Sequence, residues 1–446
     1  MPGPRGLPLV GTISSFLGKD LLRPFSRLVA EYGPLFEVRL PLGHRLVMVA
    51  HPDAVEHVLR SGRENYVKGS VYDGTRLLLG QGLVTSEGAL WRRQRELANP
   101  AFRPAKLQQY LAVMADATAQ LVTDWRVARH TGPVDVQREM TRLTLAIVGR
   151  TLFGLDLSQN SERAAAAFGA ALAVIGRRGP GSLQVPLWLP TPGNRRFRRT
   201  LRELDAMVYE VIERFRAGQA ENADQTLLGA YLESRDPATG LGMDDRQLRD
   251  EVITLYLAGH ETTASLLSWT LYELARYPEV QARVAAEIDA LLPDEAPSLE
   301  QLKGLQYTSQ VIHEVLRLYP PAWTVARNAL ADDEVMGYRV PGGAIVMISP
   351  YFAHRLEAFW PEPLRFDPER FTPQAVAGRH PFAYFPFSLG PRICIGMQFS
   401  LYEARLVLGM LLRHFEVFAA GGRDVGVCAA GTLRPVDELS VLLKPR

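Results

Sequence analysis

Residues 387–396 read Phe-Ser-Leu-Gly-Pro-Arg-Ile-Cys-Ile-Gly, and this stretch constrains the chain more than any other. Only two cysteines occur in 446 residues, and Cys394 lies in a loop built to present a sulfur. Gly390 can take backbone angles that other residues avoid. Pro391 stiffens the loop and removes a donor. Beyond Cys394 the apolar positions Met397, Leu401, Ala404, Leu408 and Leu411 recur at helical spacing. The sulfur therefore sits at or just before a helix N-terminus, where free amides and the helix dipole favour a thiolate. A lone cysteine is usually a small buried hydrophobe. Here Phe387, Gly390, Gly396 and Arg392 surround it. Gly396 lets a flat ligand approach, and Arg392 can meet an anion at that ligand's edge. The combination suits a haem, with sulfur to iron and guanidinium to a propionate.

A chain of 446 residues exceeds the usual single-core domain, yet one-domain enzymes reach this size. No linker, repeat or low-complexity segment divides residues 1–446, so a single domain is expected. A net charge of +2 gives no global pull toward nucleic acid. Two cysteines make no disulfide framework, and Cys428 reads as a buried reduced thiol. No C-x-x-C-H occurs, so a haem would be bound non-covalently. The opening Met1-Pro2-Gly3-Pro4-Arg5 carries no signal h-region. The small-apolar stretch 164–176 is too short to span a bilayer. A cytoplasmic setting is expected.

In chain order, the Pro/Gly-rich start to Gly11 reads as an extended arm. Runs at 35–40 and 46–49 flank Pro41-Leu42-Gly43-His44-Arg45 and predict a hairpin. Residues 66–90 are Gly-rich, lack a sustained period, and predict a long irregular loop. Trp91 and Arg95 follow four apart on one helix face. From 106 to 235 the pattern is helical, broken at 177–199 by Gly179, Pro180, Pro186, Pro190, Pro192 and Gly193. There the apolar Pro186-Leu187-Trp188-Leu189 precedes Arg195, Arg196, Arg198 and Arg199. This stretch reads as a surface loop or as a lid touching membrane lipid through 180–199.

Asp244 with Gln247 predicts a capping box. The helix it opens runs to Tyr277, before Pro278, a length of roughly 50 Å at 1.5 Å per residue. Its middle reads Ala258-Gly259-His260-Glu261-Thr262-Thr263, where Gly259 removes bulk and Thr262 can bond back to a carbonyl. Glu314 and Arg317 form an i,i+3 pair on a later helix. Runs at 338–340 and 344–348 flank Pro341-Gly342-Gly343 and predict a second hairpin, and weak alternation over 421–444 predicts terminal strands with a pocket-facing turn at Gly431-Thr432-Leu433.

The loop matches F-x-x-G-x-R-x-C-x-G. Together with A-G-x-E-T-T at 258–263, Glu314 and Arg317, and Arg370 in Pro368-Glu369-Arg370-Phe371, it resembles a cytochrome P450 over nearly the whole chain. The resemblance implies the family's mainly α fold with small β-sheets and a bound haem b. It implies Cys394 as axial ligand, Trp91, Arg95, Arg327 and Arg392 at the propionates, and Glu314, Arg317 and Arg370 as a structural triad. Thr262 would hold dioxygen and its water, and Glu261 would relay protons. An apolar substrate would lie near Ala258 and Gly259, walled by Ala322, Trp323, Thr324, Val325, Leu433 and parts of 66–90 and 164–190. The implied activity is monooxygenation, most similar to bacterial fatty-acid and carotenoid hydroxylases, with a long-chain lipid, carotenoid or terpenoid-like substrate. The length leaves no room for a fused reductase, so electrons would come from a ferredoxin or flavodoxin with its NAD(P)H reductase. The rival readings are a hydroperoxide-driven peroxygenase or isomerase, and a non-catalytic haem sensor.

Overall fold

The computed structural model describes residues 1–6, 12, 20–128, 132–176, 185–235, 240–293, 296–421 and 424–446. The axis of the molecule is the helix Asp245–Arg276. The Asp244 carboxylate accepts the Gln247 amide at 2.7 Å, which satisfies one orphan donor of the first turn. The reciprocal bond of the expected box is not made, and Gln247 Nε2 is buried without a partner. Pro278 then opens the next helix, Pro278–Leu291, at a position where its missing N–H costs nothing.

The helix Asp245–Arg276 is buried on nearly every side, as befits a core helix with no single apolar stripe. It packs on Val136–Val148, Pro192–Arg216, Gln306–Leu318 and Met397–His414. Gly259 sets one of these crossings, because a Cβ there would stand 2.9 Å from Val148 Cγ2. Among the described residues no helix is long and apolar enough to cross a membrane.

Among the described residues twelve strands form small sheets at the side: β1 (Leu35–Arg39), β2 (Arg45–Val49), β3 (Tyr66–Val67), β4 (Val134–Asp135), β5 (Val325–Ala329), β6 (Asp333–Val335), β7 (Tyr338–Val340), β8 (Ile345–Ile348), β9 (Phe415–Ala419), β10 (Val427–Ala430), β11 (Thr432–Pro435) and β12 (Ser440–Pro445). The largest sheet has the order β1-β2-β8-β5-β3 and carries a second apolar core. The first hairpin forms as predicted, with Leu35 opposite Val49.

The second hairpin does not. β7 pairs with β6 across Met336-Gly337, both at positive φ, and β8 instead joins β2 and β5 inside the large sheet. The unbroken apolar run Ile-Val-Met-Ile belongs to an interior strand buried on both faces, so Pro341-Gly342-Gly343 is a crossing bend. Residues 66–90 are likewise more ordered than a loop. They hold β3 and the helix Asp73–Leu79, too short to show a period. The segment 185–191 runs extended and turned into Pro192–Arg216, with Thr191 capping Asn194 at 3.2 Å. Residues 177–184 of the expected lid, Gly179 and Pro180 included, lie outside the described residues, as does most of the arm to Gly11.

Candidate active site

The cysteine loop is fixed from below. Gly390 sits at φ +68°, and a Cβ on it would come 2.2 Å from the Leu59 carbonyl oxygen. Only glycine meets both conditions. The Cys394 amide donates to Phe387 O at 2.9 Å and closes the loop, and Met397–His414 begins three residues later. The sulfur faces open space in a cavity while protein surrounds the rest of the side chain. Burial pushes the Cys394 thiol up, and the Gly396 amide and the Arg95 guanidinium pull it back down. Arg95 also donates to Ile393 O at 3.0 Å, so it serves the loop itself.

The cavity above the sulfur has a volume of about 310 Å³ and an overwhelmingly apolar wall. Phe387, Cys394 and Gly396 form its floor, and Ala258, Gly259 and Thr262 of the central helix form its roof. A Cβ on Gly396 would meet only Phe102, at 3.9 Å, so space for a flat ligand stands open over it. The Thr262 hydroxyl donates back to Ala258 O at 2.9 Å. Its hydrogen is thereby committed, and its oxygen offers lone pairs to the cavity.

Of the walls expected from sequence, Ala322 and Val325 line the cavity, and Val84 is the contribution of 66–90. Trp323, Thr324 and Leu433 do not line it. Trp323 is buried in the sheet core, where its carbonyl accepts the Ser349 hydroxyl. The Thr324 hydroxyl donates to Ile348 O. Leu433 supports the wall from behind, its backbone N–H donating to Pro321 O at 2.9 Å. No described residue of 164–190 reaches the cavity. Val148, Leu152, Leu255, Leu266 and Leu316 line it instead. Leu152 sits on the π-helical turn Gly149–Phe153 and the others on regular α-helices, and nothing in a helical period separates a cavity-facing leucine from a core one.

At one rim the cavity meets a groove lined by Trp91, Arg327 and Arg392. The Arg392 guanidinium lies 4.0 Å from the Trp91 ring centre and donates to Glu87 at 2.7 Å, while its Nη1 is buried without a partner. Arg327 is 6 % exposed. Lys68, which sequence reasoning missed, is buried beside them. Burial and the neighbouring Arg327 and Arg392 hold its ammonium well below the usual lysine range, with Glu87 opposing. Basic side chains outnumber acidic ones in this groove, as the edge of a dianionic macrocycle requires. A lone lysine in a Gly-rich stretch gave no signal.

Glu261 points elsewhere. Its Oε1 accepts Thr432 Oγ1 at 2.6 Å and Arg434 Nε at 3.0 Å, and it lines a second, polar cavity of about 300 Å³ with Arg138, Glu162 and His260. Thr262 and Glu261, adjacent in sequence, thus face two different spaces.

Behind the loop, Arg317 Nε and Nη2 fork onto Glu314 at 2.7 and 2.8 Å with both side chains fully buried. The remaining guanidinium donors reach His354 O, Pro363 O and Arg365 O. Arg370 Nε stands 3.6 Å from Glu314. The Asp367 amide adds a bond to the same carboxylate. These bonds pin the segment 354–370 to the helix Gln306–Leu318.

A mainly α scaffold with a cysteine-floored apolar cavity and a cationic rim defines the class, a haem-thiolate oxidoreductase. Residues 1–435 match the sequence family described as Cytochrome P450, and the chain belongs to that family. It is 35% identical to Cyclooctat-9-en-7-ol 5-monooxygenase of Streptomyces melanosporofaciens, over 93% of this chain and 88% of that protein. It is 33% identical to Pentalenene oxygenase of Streptomyces avermitilis, over 99% and 97%. It is 32% identical to Bifunctional cytochrome P450/NADPH–P450 reductase 2 of Bacillus subtilis, over 96% of this chain and 41% of that protein. The chain is a cytochrome P450 monooxygenase, with the family's haem iron as cofactor and a need for redox partners.

Proposed function

We propose that this enzyme inserts one oxygen atom of O2 into a neutral, apolar terpenoid-type substrate, with electrons from a separate ferredoxin or flavodoxin and its NAD(P)H reductase. The observation that carries the reading is the apolar cavity that presents Cys394 from below and Thr262 from above. Relatives named for terpenoid oxygenation at 33–35% identity support the substrate class. Turnover with NADPH and a surrogate ferredoxin system tests it on terpene alcohols, carotenoids and fatty acids in parallel. Hydroxylation of fatty acids alone would overturn the terpenoid assignment.

The residues fit haem b. Cys394 would ligate the iron, with the Gly396 amide and Arg95 favouring the thiolate. Lys68, Arg327, Arg392 and Trp91 would hold the propionates, and the free Nη1 of Arg392 is a donor ready for one. When bound, the haem would supply the oxygen-activating chemistry, with Cys394 as its thiolate donor. The chain's own part is positional. Ala258 and Gly259 leave room over the ring. The Thr262 oxygen would accept a hydrogen bond and position a water beside the bound group. Glu261, one residue away, would help relay protons from the second cavity, which it faces.

One observation favours a hydroperoxide-driven second reading. Glu261 is tied to Thr432 and Arg434 and turned off the main cavity. Peroxide-supported turnover at the NADPH-driven rate, without redox partner, would select it. Membrane contact also belongs to the proposal at 185–199, where Trp188 is 74 % exposed beside Arg195, Arg196, Arg198 and Arg199. Sedimentation with anionic vesicles, lost in Trp188→Ser, checks it.

A further inference from the structure

Lys68 ends a strand at the rim and reaches the wall of the cavity. β3 pairs with β5 through Val67 and Asn328, which sets the next residue, Lys68, beside Arg327. Its backbone N–H donates to Glu87 Oε1 at 2.6 Å, and Glu87 Oε2 accepts Arg392 Nη2 at 2.7 Å. The residue is 8 % exposed. Its ammonium donates to Val84 O and stands 4.6 Å from the Tyr72 ring centre. Val84 in turn lines the main cavity. Lys68 is thus fixed to the rim by its backbone and to the cavity wall by its ammonium. Arg327, Arg392 and Arg76 all act against that charge. Methionine would fill the same space with no charge to desolvate, so packing alone does not call for an ammonium here. Val84 O takes one of its three donors, and the others suit an anion at the rim.

We propose that Lys68 couples occupancy of the cavity to the reduction potential of the haem. The inference rests on the haem reading above. Lys68 acts through other groups and is a positioning residue, its ammonium shared between a propionate and Val84 O. A positive charge at the haem edge favours the electron that the redox partner delivers, so the ammonium raises the potential. A substrate pressing on Val84 draws the carbonyl off the ammonium, which then turns more fully to the propionate and raises the potential further. One electron is added, no bond breaks and no proton moves. Such a coupling is reciprocal, so the ligand that raises the potential binds the reduced protein more tightly by the matching factor. The protein thus accepts its electron most readily when the cavity is filled.

The test begins with the reduced CO spectrum of each protein, so that loss of the haem reading is seen separately. Proteins with the thiolate band are then titrated electrochemically, alone and with farnesol or lauric acid, whichever shifts the oxidised Soret band. A response to lauric acid only would count against the terpenoid reading and leave this test in place. Lys68→Met should lower the ligand-free potential, and the ligand-induced rise should shrink at the same Soret shift. Lys68→Arg, which keeps the charge, should restore the ligand-free potential. Val84→Ala should leave the ligand-free potential in place and shrink the ligand-induced rise. The ratio of ligand affinities, reduced over oxidised, should fall toward unity in Lys68→Met. Should that variant load haem poorly, Lys68→Gln, which drops the charge and keeps a donor, takes its place. A wild-type ligand-free potential in the neutral variant would overturn the tuning. An undiminished ligand-induced rise in both the neutral variant and Val84→Ala would overturn the coupling.

Discussion

The Thr262 hydroxyl gives its hydrogen to Ala258 O, so toward the cavity it is an acceptor held in one direction. Valine would fill the same volume without a polar group at the cavity face, and the role proposed for the hydroxyl is to serve a ligand. Thr262→Ala should bind haem and substrate, consume NADPH, and divert electrons to hydrogen peroxide. The check is product formed per NADPH oxidised, with peroxide assayed alongside. A wild-type ratio would reduce Thr262 to a structural residue. Cys394 makes a sharper demand. Cys394→Ser should lose the red-shifted Soret band of reduced, CO-bound thiolate haem, and a variant that kept the band would refute the ligand assignment. At the rim, each charged hydrogen bond to a propionate is worth about 1.5–3 kcal/mol. Arg392→Ala should therefore retain haem less well on dilution or dialysis, and Lys68→Ala should add to the loss. Full haem occupancy in both, and in the double variant, would count against a clamp.

Among the elements, the helix Gln306–Leu318 carries the fold's most committed polar contact. Glu314 and Arg317 are both fully buried, and five further groups use them. Removing one partner from such a pair costs about 3–5 kcal/mol, so Glu314→Ala should yield little haem-loaded protein. A fully loaded variant with an altered product pattern would contradict that. The pair was legible in sequence because i,i+3 charges before Pro320-Pro321 form a local pattern. So were the long helix, the first hairpin and the cysteine loop, each written in adjacent residues. What was not legible depends on contacts distant in sequence. The partner of β7 is chosen by the apolar run of β8 entering the large sheet, not by the glycines between them. Lys68 becomes notable only when Arg327 and Arg392 fold against it. Leu433 lies one side chain behind the wall it was expected to form. The sequence also placed Glu261 and Thr262 in one catalytic unit. On a helix adjacent residues point about 100° apart, and here they open on separate cavities.

For the molecule as a whole, two buried titratable groups give stability opposite slopes with pH. His313 is packed against Phe371 and Tyr384, and burial lowers it to about 4, with Arg405 and Arg379 adding to the effect. Between pH 4 and 6.5 the unfolded chain holds a proton that the folded one lacks, so this group makes stability rise with pH. Glu251 is raised to about 8, first by burial and further by Asp250, while the Leu83 amide opposes. Between pH 4.5 and 8 the folded chain holds a proton that the unfolded one has lost, so stability falls as pH rises. These two slopes cancel between 4.5 and 6.5, and above 6.5 that of Glu251 is no longer offset by His313. At about 1.4 kcal/mol per pH unit, the contribution of Glu251 to the loss from pH 6.5 to 8 is on the order of 2 kcal/mol. It is also localised. Glu251 and Asp250 hold the amides of Leu83 and Gln81, and the adjoining Val84 lines the cavity. Ionised Glu251 beside Asp250 should loosen that loop before the rest of the fold. Glu251→Gln should flatten denaturant stability between pH 6.5 and 8 and keep amide exchange at 81–84 slow at the upper end, where wild type speeds up. The same stability loss and the same exchange rates in Glu251→Gln would show that another group carries the alkaline slope.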